Sequence, residues 1–184
     1  GTKRADADAD VILNGQSAND VFGRSVASAG DFNGDGKDDV IVGADLDDNN
    51  SLAQSGSAFI FFGGITGTKT ADADADVILN GQSAGDEFGI TVSSAGDFNG
   101  DGKDDVIVAD RANSAFIFFG GITGTKRADA DADVILNGQS GLDFFGLFSV
   151  DSAGDFNGDG KDDIIIGAFG DDNNSLAQSG SAFI

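Results

Sequence analysis

Asp31-Phe32-Asn33-Gly34-Asp35-Gly36-Lys37-Asp38-Asp39 recurs letter for letter at residues 97–105 and 155–163. Oxygen-bearing side chains fall at positions one, three, five and nine, with a glycine at six. That is the layout of a calcium loop. A hard cation takes about six to eight oxygen ligands at roughly 2.3–2.6 Å, so a short segment must turn sharply to aim alternate side chains inward. Gly36 permits the turn, because a residue without Cβ takes positive φ at little cost. The spacing predicts Asp31, Asn33, Asp35 and Asp39 as side-chain ligands and Lys37 as a carbonyl ligand, its ammonium directed away. The second loop offers Asp97, Asn99, Asp101, Lys103 and Asp105, and the third Asp155, Asn157, Asp159, Lys161 and Asp163, so three Ca2+ sites are expected.

Of two other readings of the stretch, the plain turn fits less well and the EF-hand fails. A plain hairpin turn needs an Asn-Gly or Asp-Gly pair, not five oxygen donors at alternate positions. An EF-hand needs a bidentate Glu at position twelve and flanking helices. Position twelve is Val42, Val108 or Ile166, and the runs Val40-Ile41-Val42 and Ile164-Ile165-Ile166 are β-branched and favour strands. Without a cation, Asp31, Asp35, Asp38 and Asp39 would repel one another within one turn, raising their pKa values or opening it.

Composition narrows the chemistry. With 10 Lys and Arg against 32 Asp and Glu, the 184 residues carry a formal charge of −22. Nucleic acid is therefore not an expected partner, since phosphate contact needs a basic face. Such acidity suits a calcium-rich or saline exterior and favours solubility. There is no Cys and no His, which removes disulfides, thiol chemistry and the commonest bases and transition-metal ligands. No run is long enough for a membrane-spanning helix, and no signal peptide is visible. The opening at Gly1 without Met marks a processed product or an excerpt.

Repeats organise the rest. Loop starts lie 66 and 58 residues apart, and the shorter unit lacks the insertion at residues 47–56, which returns at 171–180 and is read as a loop. Each unit predicts four short strands. The first follows Phe22-Gly23, Phe88-Gly89 or Phe145-Gly146, and the second is Val40-Ile41-Val42 and its equivalents. The third is Ala58-Phe59-Ile60-Phe61-Phe62, and the fourth is Val77-Ile78-Leu79, recurring at residues 11–13 and 134–136. The second and third strands are apolar on both faces, so each must be covered on both sides. Four-stranded sheets packed face to face around an axis meet that demand, which is a β-propeller. The Phe residues are read as core. The alternating Ala-Asp tracts at 5–10, 71–76 and 128–133 are read as exposed lead-ins to the fourth strand, with charge opposing edge-to-edge aggregation.

With Phe-Gly, the acidic loop and a following Gly-Ala in place, the chain resembles the FG-GAP repeat family, the blades of integrin α-subunit propellers and of many bacterial surface proteins. The resemblance covers essentially the whole chain and implies an all-β fold of four-stranded antiparallel blades whose loops between first and second strands bind Ca2+. There are departures. Asp45 and Phe169 stand where the Pro of Gly-Ala-Pro is expected, the second unit has Ala109-Asp110, and the third carries one extra residue between Phe145 and Asp155.

The expected organisation is a single repeat domain over 1–184, with an N-terminal outer strand in 1–21 and repeats at 22–87, 88–144 and 145–184, the last incomplete. About three blades with a split terminal blade are too few for a ring, since propellers run from about four to eight. The expected assembly is strand exchange, either with other copies, giving a larger ring or a head-to-tail filament, or with flanking sequence if the chain is a window cut from a longer array. The leading functional expectation is a calcium-stabilised structural or adhesion module outside the cell or on its surface, without catalytic residues, with a protein or glycan surface ligand as a further partner. The alternative is an accessory propeller of a secreted or surface hydrolase.

Overall fold

The computed structural model describes residues 2–172 and 176–184. Residues 173–175, within the second insertion, lie outside them. In chain order the elements are α1 (Ala5–Asp8), β1 (Val11–Asn14), β2 (Val26–Gly30), β3 (Asp39–Ala44), β4 (Ser57–Phe61), β5 (Gly67–Thr70), α2 (Ala71–Asp74) and β6 (Val77–Asn80). Then come β7 (Thr91–Gly96), β8 (Asp105–Ala109), β9 (Ser114–Phe118), β10 (Gly124–Arg127), α3 (Ala128–Asp131), β11 (Val134–Asn137), β12 (Phe145–Gly154), β13 (Asp163–Ala168) and β14 (Ser181–Phe183).

The antiparallel meander β2-β3-β4-β6 forms the first blade, β7-β8-β9-β11 the second, and β12-β13-β14 three strands of a third. The all-β, blade-built reading of the sequence holds. Innermost strands stack in sequence, β2 against β7 and β7 against β12. Among the described residues no helix is long and apolar enough to cross a membrane.

Two-sided hydrophobicity has a direct structural cause. Ala58 and Ile60 of β4 enter the core between the first and second blades, whereas Phe59 and Phe61 enter a separate cluster on the opposite face. On β9, Phe116 and Phe118 face the first blade while Ala115 and Ile117 face the third. Side chains alternate along a strand, so a sheet buried on both faces needs apolar residues at every position. The Phe of each Phe-Gly pair packs edge-to-face on the third strand of its own blade. Phe22–Phe59, Phe88–Phe116 and Phe145–Phe183 have ring centroids 5.7, 5.5 and 5.8 Å apart, a geometry worth about 0.5–1.5 kcal/mol beyond area burial.

Four expectations are corrected or refined. The Ala-Asp tracts are mostly exposed, as read, but residues 5–8, 71–74 and 128–131 each close one helical turn. The carboxylate of Asp8, Asp74 or Asp131 accepts the N–H of the residue before its helix at 2.8 Å, satisfying a donor the helix start leaves open. Asp76 and Asp133 then accept the N–H of Phe62 and Phe119 at 2.8 Å, and Ala71 and Ala128 are buried. Local carboxylate bonding and packing thus override the period-two pattern.

Secondly, the polar segments β5 and β10 are strands. Each pairs in parallel with the Val-Ile-Leu-Asn strand of the preceding unit, β5 with β1 and β10 with β6, so the first blade carries a fifth strand. Thirdly, not every Phe is core: Phe148, Phe156 and Phe169 are more than half exposed, whereas Phe32, the counterpart of Phe156, is fully buried beneath the second blade. The fourth concerns Lys37 and belongs to the loops.

Candidate cation loops

Each loop bridges the first two strands of its blade, opening after a β-bulge. Register slips between Ser28 and Gly30, Ser94 and Gly96, and Ser152 and Gly154, and each serine hydroxyl accepts the N–H of its glycine at 3.1, 3.1 and 3.2 Å. A bulge kinks the strand and strengthens its twist, which turns the chain into the loop. Gly36, Gly102 and Gly160 all have φ near +90, the region the sequence reserved for glycine.

Within the loops the carboxylates hold the backbone. Asp97 Oδ1 accepts the N–H groups of Gly100 and Asp101 at 2.8 and 2.9 Å, and its Oδ2 accepts that of Gly102 at 2.9 Å. Asp155 repeats the pattern with Gly158, Asp159 and Gly160, while Asp31 Oδ2 accepts from Gly36 at 2.9 Å. Position nine closes the turn onto position three: Asp39, Asp105 and Asp163 accept the N–H of Asn33, Asn99 and Asn157 at 3.2, 3.1 and 3.0 Å. Asp39 and Asp105 also accept Gly63 and Gly120 N–H from beyond the third strand. Position five accepts the N–H of Lys37, Lys103 or Lys161 at 3.0 Å.

The lysine expectation is overturned in the first loop. Lys37 Nζ turns back to Asp35 Oδ2 at 3.0 Å, and this bond holds the exposed Asp35 carboxyl below the ordinary range. An ammonium there lessens the crowding of negative charge. Lys103 and Lys161 instead lay their stems beside Gly34 and Gly100 of the preceding loop.

Burial is the main influence on the closing aspartates. Burial raises Asp39, and the charges of Asp35 and Asp31 raise it further against two backbone N–H bonds. Asp105 is pushed up to about 6, by burial first and then by Asp101 and Asp97, again against backbone bonds. Among the described residues no three acidic side chains stand close enough to hold a metal ion as they are. The donors are nonetheless all oxygen, as a hard cation requires. Asp31 Oδ1 is buried without a hydrogen-bond partner, and such an atom calls for an ion or a donor.

Sequence reading left position eight without a role, and the structure supplies one. Asp104 Oδ2 accepts the Asp31 N–H at 2.7 Å, and Asp162 Oδ2 accepts the Asp97 N–H at 2.9 Å. Each joins one loop to the loop before it. The only signal in the sequence was that this Asp is present in all three copies.

Stacked four-stranded blades with an acidic loop between first and second strands define a propeller-type repeat protein. An FG-GAP repeat model matches residues 22–61 and 149–184, and an FG-GAP-like repeat model matches residues 97–166. The chain is 31% identical over 173 residues to integrin alpha-5 of Xenopus laevis, covering 87% of this chain and 16% of that protein. It is 32% identical to integrin alpha-PS5 of Drosophila melanogaster over 165 residues and to integrin alpha-IIb of Mus musculus over 169, each time covering 86% of this chain and 16% of the relative. The chain belongs to the FG-GAP repeat family, and it spans about 16% of the length of these relatives.

Proposed function

We propose that the chain is an extracellular or cell-surface propeller module of structural or adhesive role, stabilised by three Ca2+ ions and assembling head to tail through strand exchange. The observation that carries the reading is the acidic loop itself, built three times with its first Asp accepting the glycine N–H at position six, and in the first loop leaving Asp31 Oδ1 buried and unpartnered. In the first loop Asp31, Asn33, Asp35, Asp39 and the Lys37 carbonyl hold the ion. Asp97, Asn99, Asp101, Lys103 and Asp105 do so in the second, and Asp155, Asn157, Asp159, Lys161 and Asp163 in the third. Burial raises Asp39 and Asp105 first and the charges of their neighbours add to it, and a divalent ion offsets that added carboxylate repulsion. Loops of extracellular modules bind Ca2+ at about 10⁻⁴ to 10⁻³ M, which suits a resident structural ion rather than a cytosolic sensor.

Assembly is supported by register. Ser57↔Asn80, Ala58↔Leu79 and Phe59↔Ile78 join β4 to β6, and the same residue types pair β9 with β11. β14 offers Ser181-Ala182-Phe183 with no fourth strand beside it among the described residues, while β1 carries Val-Ile-Leu-Asn outside any four-stranded sheet. In this reading β1 of one copy completes the third blade of another, and a protein or glycan ligand binds the assembled surface.

Thermal melts test the metal. Chelation is expected to lower the melting temperature steeply, with recovery on adding Ca2+ and little on adding Mg2+; a melt indifferent to chelation overturns it. Light scattering tests the assembly, and a monodisperse compact monomer rules it out.

A further inference from the structure

We infer that Asp104 and Asp162 are positioning residues that couple neighbouring cation loops, so that an ion in one loop strengthens the site in the loop before it. The inference rests on the calcium reading and concerns residues outside the proposed ligand set.

The contact is reciprocal. Asp104 accepts the Asp31 N–H through Oδ2 at 2.7 Å, while the Asp104 N–H meets the Asp31 carbonyl at 3.4 Å. Asp162 and Asp97 repeat both bonds, at 2.9 and 3.2 Å. Asp31 and Asp97 are the first ligands of their loops, so the bracket grips the residue on which each site is built. A third bond reinforces the first junction, from Gly121 N–H to the carbonyl of the buried Phe32 at 2.7 Å.

The bulge glycines are shaped for this bracket. A Cβ on Gly30 would stand 2.1 Å from Asp104 Oδ2, and one on Gly96 the same distance from Asp162 Oδ2. Both glycines have φ near +63, so a side chain there is excluded by backbone conformation and by the neighbouring carboxylate together. Gly154, at the same place in the third loop, has the same φ and open space around it.

Coupling follows from position in the chain. Asp104 lies between the Lys103 carbonyl and the Asp105 carboxylate, two ligands of the second loop. An ion there fixes the backbone on both sides of Asp104 and hence the bracket on Asp31. By linkage, an ion in the first loop must strengthen the second by the same factor.

The test is a Ca2+ titration of the full 184-residue chain followed by NMR. The amide signals of Gly36, Gly102 and Gly160, one per loop, report occupancy site by site. Asp101→Asn weakens the second site without touching the bracket and is expected to shift the first loop's midpoint about five-fold or more. In Asp104→Ala the first loop is already weak and adding Asp101→Asn changes it no further, whereas Asp104→Asn, whose amide oxygen still accepts the Asp31 N–H, keeps the dependence. A first-loop midpoint indifferent to Asp101→Asn, or a dependence that survives in Asp104→Ala, overturns the coupling. Should Asp104→Ala not fold, exchange of the Asp31 amide hydrogen decides. It slows as the second loop fills in the wild type and not in Asp101→Asn, and equal rates overturn the coupling. If no glycine amide of the wild type responds to Ca2+, the calcium reading itself falls; if all respond independently, the coupling alone falls.

Discussion

Replacing Asp110 by Asn should stabilise the protein at neutral pH and do nothing for it in acid. Asp110 closes the second strand of the second blade with only 4% of its surface exposed. Burial pushes its carboxyl from the ordinary 3.8 up to about 7, with the charges of Asp86 and Asp129 adding to the rise and backbone bonds from Ser114 and Ala112 opposing it. An acid whose folded pKa lies above its unfolded value favours the fold while protonated. That contribution is whole below about pH 3.8, declines as pH rises and is gone above about pH 7. Three pH units at about 1.36 kcal/mol each set an upper bound of roughly 4 kcal/mol. Asparagine carries no charge to desolvate, and its Oδ1 can accept the Ser114 N–H that Asp110 Oδ1 accepts at 2.8 Å. The amide NH2 needs a partner of its own, so a gain of about 2 kcal/mol near pH 8 is the realistic expectation.

Urea unfolding of both proteins, at one Ca2+ concentration and at a series of pH values between about 4 and 8, reads the difference directly. Because every other carboxyl is common to the pair, acid effects elsewhere cancel. The stability gap should open from near zero in acid to its full value at neutrality. A gap that is flat across the series, or widest at low pH, refutes the assignment of a buried, reluctantly ionised Asp110.

Two contrasts test the packing. A Cβ on Gly43 would stand 2.0 Å from the Gly89 carbonyl oxygen of the next blade, so Gly43→Ala must push the facing backbones away from each other and should cost about 3 kcal/mol in chemical unfolding; Gly102→Ala meets open space and should cost only the left-handed strain of about 1–2 kcal/mol. Phe88→Ala removes a buried ring that packs edge-on against Phe116 and Phe118 and should lose about 3–5 kcal/mol. By contrast, Phe156→Ser alters a side chain 69% exposed in the single chain and should move the melt of the unassembled chain within about 0.5 kcal/mol.

What the sequence determined by itself was whatever depends on short-range pattern. A nonapeptide repeated three times located the hairpin loops, because glycine at position six and acids at alternate positions are requirements of one tight turn. Apolar residues at successive positions of β4 and β9 required cover on both faces, and stacked blades followed from that. Tertiary structure alone decided whatever depends on a neighbour from another unit. Gly67–Thr70 and Gly124–Arg127 carry no strand pattern, since their partners are the Val-Ile-Leu-Asn strands of the unit before. Ala-Asp alternation did not disclose the helical turn, because local carboxylate bonds close it and two-residue periodicity does not register them. Asp104 and Asp162 looked like any acid of a solvated loop. Their partners lie 73 and 65 residues away, and no local pattern encodes a contact that exists only once blades stack.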